Sequence, residues 1–228
     1  MSNDADTPRT VADRASAPPR AGAGTQADIA SLLATPLAGM IDTPGEIFQR
    51  GDASRVQLRE LPFADIANLR GSPDDDAFTG TVKQALGLPL PLEANTTAEG
   101  NGRIAYWLGP DEWLLRSADS QPDGGGNLAR LLEQALAGQF FATTDQSAAY
   151  SILHLHGPHA RAVLAKGCPL DLHPDVFGAG QCAQSHYFGA SILLRPLDDA
   201  GQAWEIIVRR SFADATARIL LDAMEYVG

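Results

Sequence analysis

The side chains best equipped for chemistry lie in the second half of the chain. His154 and His156 alternate within a strand-like run, so both point to one face, and His159 follows at the next helix start. Two imidazoles at that spacing can share a metal ion, but no third ligand follows at a suggestive distance. They read as histidines satisfied by neighbours or by an interface. His173 and His186 carry no motif. Arg209-Arg210-Ser211 ends a strand just before a helix. That pair suits bidentate contact with a carboxylate on a partner or ligand, or it is a solvated pair balancing local acids. Gly124-Gly125-Gly126 offers backbone amides to an anion, but it follows Gln121-Pro122-Asp123 and reads as a flexible loop. A GxGxxG after a first strand, a GxxxxGK[ST] loop and a GxSxG elbow are all absent. No carboxylate pair stands out from solvated surface, and an acid–base pair assembled only by folding stays open.

Composition narrows the partners. The chain has 228 residues and a net charge of −11. Such a surface disfavours the phosphate backbone of nucleic acid and anionic lipid, where Lys and Arg supply the affinity. No apolar run approaches the roughly eighteen residues of a membrane span, and Met1–Arg20 lacks the apolar core of a secretory signal. Cys168 and Cys182, without CxxC spacing, suggest neither zinc nor a disulfide framework. They read as small buried hydrophobes in a reducing, cytoplasmic setting.

The elements that must position these residues follow from periodicity. Residues 1–34 lack aromatics and apolar period and read as a disordered tail; Leu37 and Met40 fall in a short anchoring segment, and folded structure is expected near Gly51. The first helix is expected from Ser72-Pro73-Asp74-Asp75, with a Ser N-cap, to Gly87. The second runs from Asn127 to Gly138. The third spans Gly157-Pro158 to Lys166. The fourth opens on a capping-box pattern at Ser211 and buries Phe212, Ile219, Leu220, Ala223 and Val227. Strands are expected at 55–61, 103–108, 113–117, 140–144, 150–155, 181–187, 191–195 and 204–208. Gly109-Pro110-Asp111-Glu112 is a tight turn between two runs that each carry a tryptophan, Trp107 and Trp113. The fold class is α+β, with largely antiparallel sheets, four main helices and two similar βαββ-type halves, about 51–146 and 147–228, inside one folded region, 35–228. The repeat rests on element order, since identity between the halves is not visible. Trp107, Trp113 and Phe141 are either core or anchors for a partner.

The wording of three motifs carries a resemblance. Leu108-Gly109-Pro110-Asp111-Glu112-Trp113-Leu114-Leu115 resembles the signature hairpin of the gamma subunit of heterotetrameric sarcosine oxidase. The run from Leu155-His156-Gly157-Pro158-His159 to Asp171-Leu172 is similar to the same family and to folate-binding aminomethyltransferases, and Val208-Arg209-Arg210-Ser211-Phe212-Ala213 matches the family's closing strand-to-helix junction. The resemblance implies a fold like the folate-binding aminomethyltransferase domain. It also implies a structural or assembly role beside alpha, beta and delta subunits, in a complex that demethylates sarcosine to glycine. The products would include hydrogen peroxide and formaldehyde or 5,10-methylenetetrahydrofolate. FAD, FMN, NAD, tetrahydrofolate and zinc would sit on the partners, leaving this chain without catalytic, cofactor or metal residues. Trp107, Glu112, Trp113, Arg209 and Arg210 are then the expected partner-facing set. The alternatives are a stand-alone folate-binding or one-carbon transferase protein, and a subunit of a related N-methyl amino acid oxidase.

Overall fold

Alternation of apolar side chains along antiparallel strands gives each sheet two faces, and in this chain both faces are buried. The computed structural model describes residues 35–42, 46–120 and 126–227. The N-terminal tail, Gly124 and Gly125 lie outside them. One sheet has six strands: β1 (Gln49–Asp52), β2 (Val56–Glu60), β8 (Tyr150–His156), β11 (Ala203–Arg209), β10 (Ala190–Pro196) and β9 (Ala183–Tyr187), in that spatial order. The other has five, ordered β4 (Thr97–Gly100), β5 (Arg103–Gly109), β6 (Glu112–Ser120), β3 (Ala64–Gly71) and β7 (Phe141–Asp145). Every pairing between these strands is antiparallel.

The sheets pack face to face. Ile66, Ile104, Tyr106 and Leu114 of one meet Ile152, Leu193 and Ile207 of the other. The outer face of the five-stranded sheet is covered by α1 (Asp76–Leu86) and α2 (Asn127–Ala135), with Phe78, Val82 and Leu132 against Leu69, Trp113 and Leu115. The six-stranded sheet is covered by α3 (Ala160–Ala165) and α4 (Arg210–Glu225), with Val163, Leu164 and Leu220 against Leu155, Trp204 and Ile206. The result is a four-layer α/β/β/α sandwich, the α+β class that the periodicity implies.

Register makes the two halves comparable. Trp113 pairs with Leu69 of β3, and Trp204 with Leu155 of β8. Both indoles are buried against a phenylalanine, Phe78 at 6.1 Å and Phe177 at 5.8 Å between ring centroids. Two residues beyond each paired leucine stands a glycine, Gly71 at the end of β3 and Gly157 just after β8. At Gly157 the reason is steric: φ is +124° and a Cβ would lie 2.5 Å from the Arg55 carbonyl oxygen. The orders β4-β5-β6-β3-β7 and β9-β10-β11-β8-β2 then match strand for strand.

Several expectations change. The strand expected at 55–61 forms as β2, but it pairs with β8 rather than with the first half, with Leu58 opposite Leu155. Strands β1, β3 and β4 were not expected. Interior β3 carries Asp65, Asn68 and Arg70 and so shows no clean apolar alternation. The N-cap of α1 is Asp75, whose Oδ1 accepts from the amides of Ala77 and Phe78, and Ser72 lies in the preceding turn. Helix α4 starts at Arg210 without a side-chain cap, and Phe212 is 51% exposed rather than buried. Folded structure begins before Gly51, since Leu37 and Phe48 are both core residues.

Candidate functional site

The chemistry-bearing residues that folding gathers lie between the two sheets. Inward positions on six strands converge there: Glu99 on β4, Tyr106 on β5, Arg116 on β6, His154 on β8, Arg195 on β10 and Glu205 on β11. Glu205 is the centre, with a side chain 0% exposed. One of its oxygens pairs with Arg116 Nη2, and the other accepts from the Tyr106 hydroxyl at 2.5 Å and lies 3.2 Å from Arg195 Nε. Arg116 Nε donates to the Tyr106 oxygen at 3.1 Å, and Arg116 Nη1 to the Ser117 carbonyl at 3.0 Å. Arg195 stacks over the Tyr106 ring at 5.7 Å and pairs outward with Glu99. His154 Nε2 stands 3.6 Å from Glu205, beyond a good hydrogen bond, while its Nδ1 lies 3.3 Å from Arg59 Nη2.

Electrostatics fix the protonation of this cluster. Burial works against the Glu205 charge, but contact with His154 and the charges of Arg116 and Arg195 outweigh it and hold the carboxyl down at about 2. Burial also drives the Tyr106 hydroxyl far above its ordinary value, so it stays a donor. Burial opposes the Arg116 charge, and Tyr106 and Glu205 nonetheless hold that guanidinium protonated. The cluster is therefore a set of fixed charges that bind one sheet to the other. A proton donor at neutral pH needs a pKa near 7, and neither Glu205 nor Tyr106 has one.

A second buried carboxylate is structural in a different way. Asp65, 2% exposed on β3, accepts from the amides of Gly126, Asn127 and Leu128, each at 2.9 Å. It caps α2, which has no capping side chain of its own, from a distant strand. Ser147 Oγ completes its shell at 3.2 Å.

The residues picked out from sequence are distributed as follows. His154 joins the cluster. His156 faces the same layer, and burial, Arg59 and His154 lower its pKa. No group of three His, Cys, Asp or Glu placed to hold a metal ion occurs among the described residues. Cys168 and Cys182 are free and buried, with burial pushing the Cys182 thiol up to about 11. Trp113 is corrected: it is 0% exposed, packs on Phe78 and gives its Nε1–H to the Pro91 carbonyl at 2.7 Å, which leaves no surface for a partner. Trp107 is half-buried opposite Trp113, and Glu112 accepts from Asn68 Nδ2 at 2.8 Å. Arg209 is exposed with its guanidinium 4.8 Å over the Tyr150 ring, and Arg210 is half-buried near Glu60. Sequence reading missed Arg116, Arg195, Glu205 and Asp65. A charged residue at an inward position of an apolar strand, as in Trp204-Glu205-Ile206-Ile207, was the available signal.

Fold and cluster together define a class: an α+β sandwich of two like halves joined by a buried ion network. The profile of the sarcosine oxidase, gamma subunit family matches residues 70–225. The sarcosine oxidase subunit gamma of Corynebacterium sp. (strain P-1) is 36% identical over 177 residues, 77% of this chain and 83% of that protein. Its counterpart from an Arthrobacter species is 37% identical over the same shares. Among solved structures, a chain of the heterotetrameric sarcosine oxidase from Corynebacterium sp. U-96, in complex with pyrrole 2-carboxylate, superposes with a TM-score of 0.71 at 32% identity, over 84% of this chain and 94% of that one. An aminomethyltransferase T of the glycine cleavage system from Bartonella henselae overlays more loosely, with a TM-score of 0.47 at 18% identity. The chain belongs to the sarcosine oxidase gamma subunit family.

Proposed function

We propose that this chain is a scaffolding subunit of a heteromeric sarcosine-oxidising complex. The observation that carries the reading is the length and level of the match: 36% identity across 83% of a sarcosine oxidase gamma subunit. The ion network supports it, because its carboxylate, phenol and guanidinium groups are engaged with one another across the sheet interface. In this reading alpha, beta and delta partners carry FAD, FMN, NAD, tetrahydrofolate and zinc. The assembled complex converts sarcosine to glycine, with hydrogen peroxide and formaldehyde or 5,10-methylenetetrahydrofolate. This chain is non-catalytic and works in the cytoplasm. Trp107, Glu112, Arg209 and Arg210 form the proposed partner-facing set, with Trp113 withdrawn.

The test is co-expression with the large flavoprotein subunits, followed by purification through a tag on this chain. The expected result is a stoichiometric complex with sarcosine-dependent oxygen uptake, while the chain alone has none. Failure to co-purify, or turnover of sarcosine by the chain alone, overturns the assignment.

A further inference from the structure

The layer between the sheets is filled by ions at one end and opens to solvent at the other. A cleft of 470 Å³ remains there. Its floor is aliphatic: Leu108 and Leu114 of the five-stranded sheet face Leu193 and Ile207 of the six-stranded one. Gln184 bridges the sheets beside it by donating Nε2 to the Leu108 carbonyl at 2.8 Å. The remaining lining includes Tyr150, Arg209 and Phe212.

The rim is unusual for this molecule. Arg209 is an exposed cation beside an apolar floor, in a chain of net charge −11. None of the ion pairs among the described residues includes it. Its guanidinium carbon instead lies over the Tyr150 ring, 4.8 Å from the centroid. A cation–π contact of that kind restrains the guanidinium at the cleft and leaves its N–H groups for a carboxylate, which Arg can engage with two parallel bonds. Phe212 belongs by sequence to the apolar stripe of α4, yet it stands exposed at the same cleft. An apolar hollow of a few hundred cubic ångströms, with a few convergent polar groups, has the dimensions of a small-molecule site and is too small to seat a helix.

We propose that this cleft binds a small, flat, apolar carboxylate, its ring system between Phe212 and the aliphatic floor and its carboxylate paired bidentately with Arg209. The site goes beyond the scaffolding role: it reassigns Arg209 from the partner-facing set to a ligand and leaves Arg210 of that pair to the partner.

The test uses the full chain and 2-naphthoate as probe, by calorimetric titration, with 2-naphthalenemethanol as the neutral isostere. One saturable site for naphthoate is expected. Arg209→Gln should weaken it about tenfold or more, the loss of a charge-assisted pair. Ser191→Trp, which fills the cleft from an exposed position, should remove binding of both probes. The neutral probe should bind wild type and Arg209→Gln alike. Circular dichroism and unfolding midpoints confirm that both variants fold. No saturable naphthoate binding by wild type, or equal affinity for wild type and Arg209→Gln, overturns the proposal. Loss of co-purification in Arg209→Gln, with no naphthoate binding by wild type, also overturns it and makes the cleft a socket for another subunit. Naphthoate binding is read on the chain alone, so its failure is distinct from failure of the assembly reading.

Discussion

At the scale of the residue, Glu205 decides most. Glu205→Ala leaves Arg116 and Arg195 buried without their common partner, and a loss of about 3–5 kcal/mol in urea unfolding is expected. Its titration gives a signed prediction. The folded carboxyl sits at about 2, below the ordinary 4.5, so its contribution is fully present above the ordinary value and is lost as pH falls from 4.5 toward 2. Urea midpoints measured across that window should fall steeply for wild type, and the part of the slope due to this group should vanish in Glu205→Gln. Glu60 acts with the opposite sign. Burial raises its pKa against the hydrogen bonds of Thr35 and Ser151 and the charge of Arg210, so it favours the fold at low pH and loses that contribution as pH rises. None of this network was legible from spacing. Its members come from six strands between Glu99 and Glu205, and only the packing of one sheet on the other makes them neighbours. The histidines drew attention because their type is conspicuous, whereas Arg116 and Glu205 sit singly inside apolar strands.

At the scale of the element, helix ends and glycines carry the testable content. Asp65→Ala removes the acceptor of three amides at the start of α2. A loss of about 1–2 kcal/mol is expected, with faster amide hydrogen exchange at 126–128 than elsewhere in the helix. The two glycine substitutions should differ in sign. Gly157→Ala drives a Cβ into the Arg55 carbonyl at a φ no L residue favours, and should cost more than about 1 kcal/mol. Gly80→Ala lies within α1 with nothing in reach of the new methyl, and should stabilise by about 0.5–1 kcal/mol. Denaturant midpoints of the two variants, measured together, check both. Helices were legible because amphipathic period and C-terminal glycines are local signals; Gly87 ends α1 as expected, at φ +74°. The start of α2 at Asn127 was legible too, but its cap was not, because the capping carboxylate comes from 61 residues away in the chain.

At the scale of the whole molecule, the α+β class and its two-fold likeness were visible in element order, and the assignment of strands to two packed sheets was not. Strand β3 was missed although it lies inside its sheet, paired on both sides, since Asp65 serves a helix and Asn68 serves Glu112, and both interrupt the apolar pattern. Strand β2 was found and placed with the wrong neighbours, because register and partner choice depend on which edge is left open. Among the described residues the second half has every counterpart of the first except a strand after its last helix, and β2, which precedes the first half in the chain, takes that position. Arg55 Nη2 ties this region to the Val227 carbonyl at 2.7 Å. During synthesis, then, the β1–β2 hairpin leaves the ribosome before β8 and has no sheet to join until β8 has followed it. In that interval its open edge is a template for the wrong strand. A neighbouring nascent copy, whose own β8 is waiting for the same hairpin, is a ready source of error, so exchange of this hairpin between two chains is the misassembly to which this topology is most exposed.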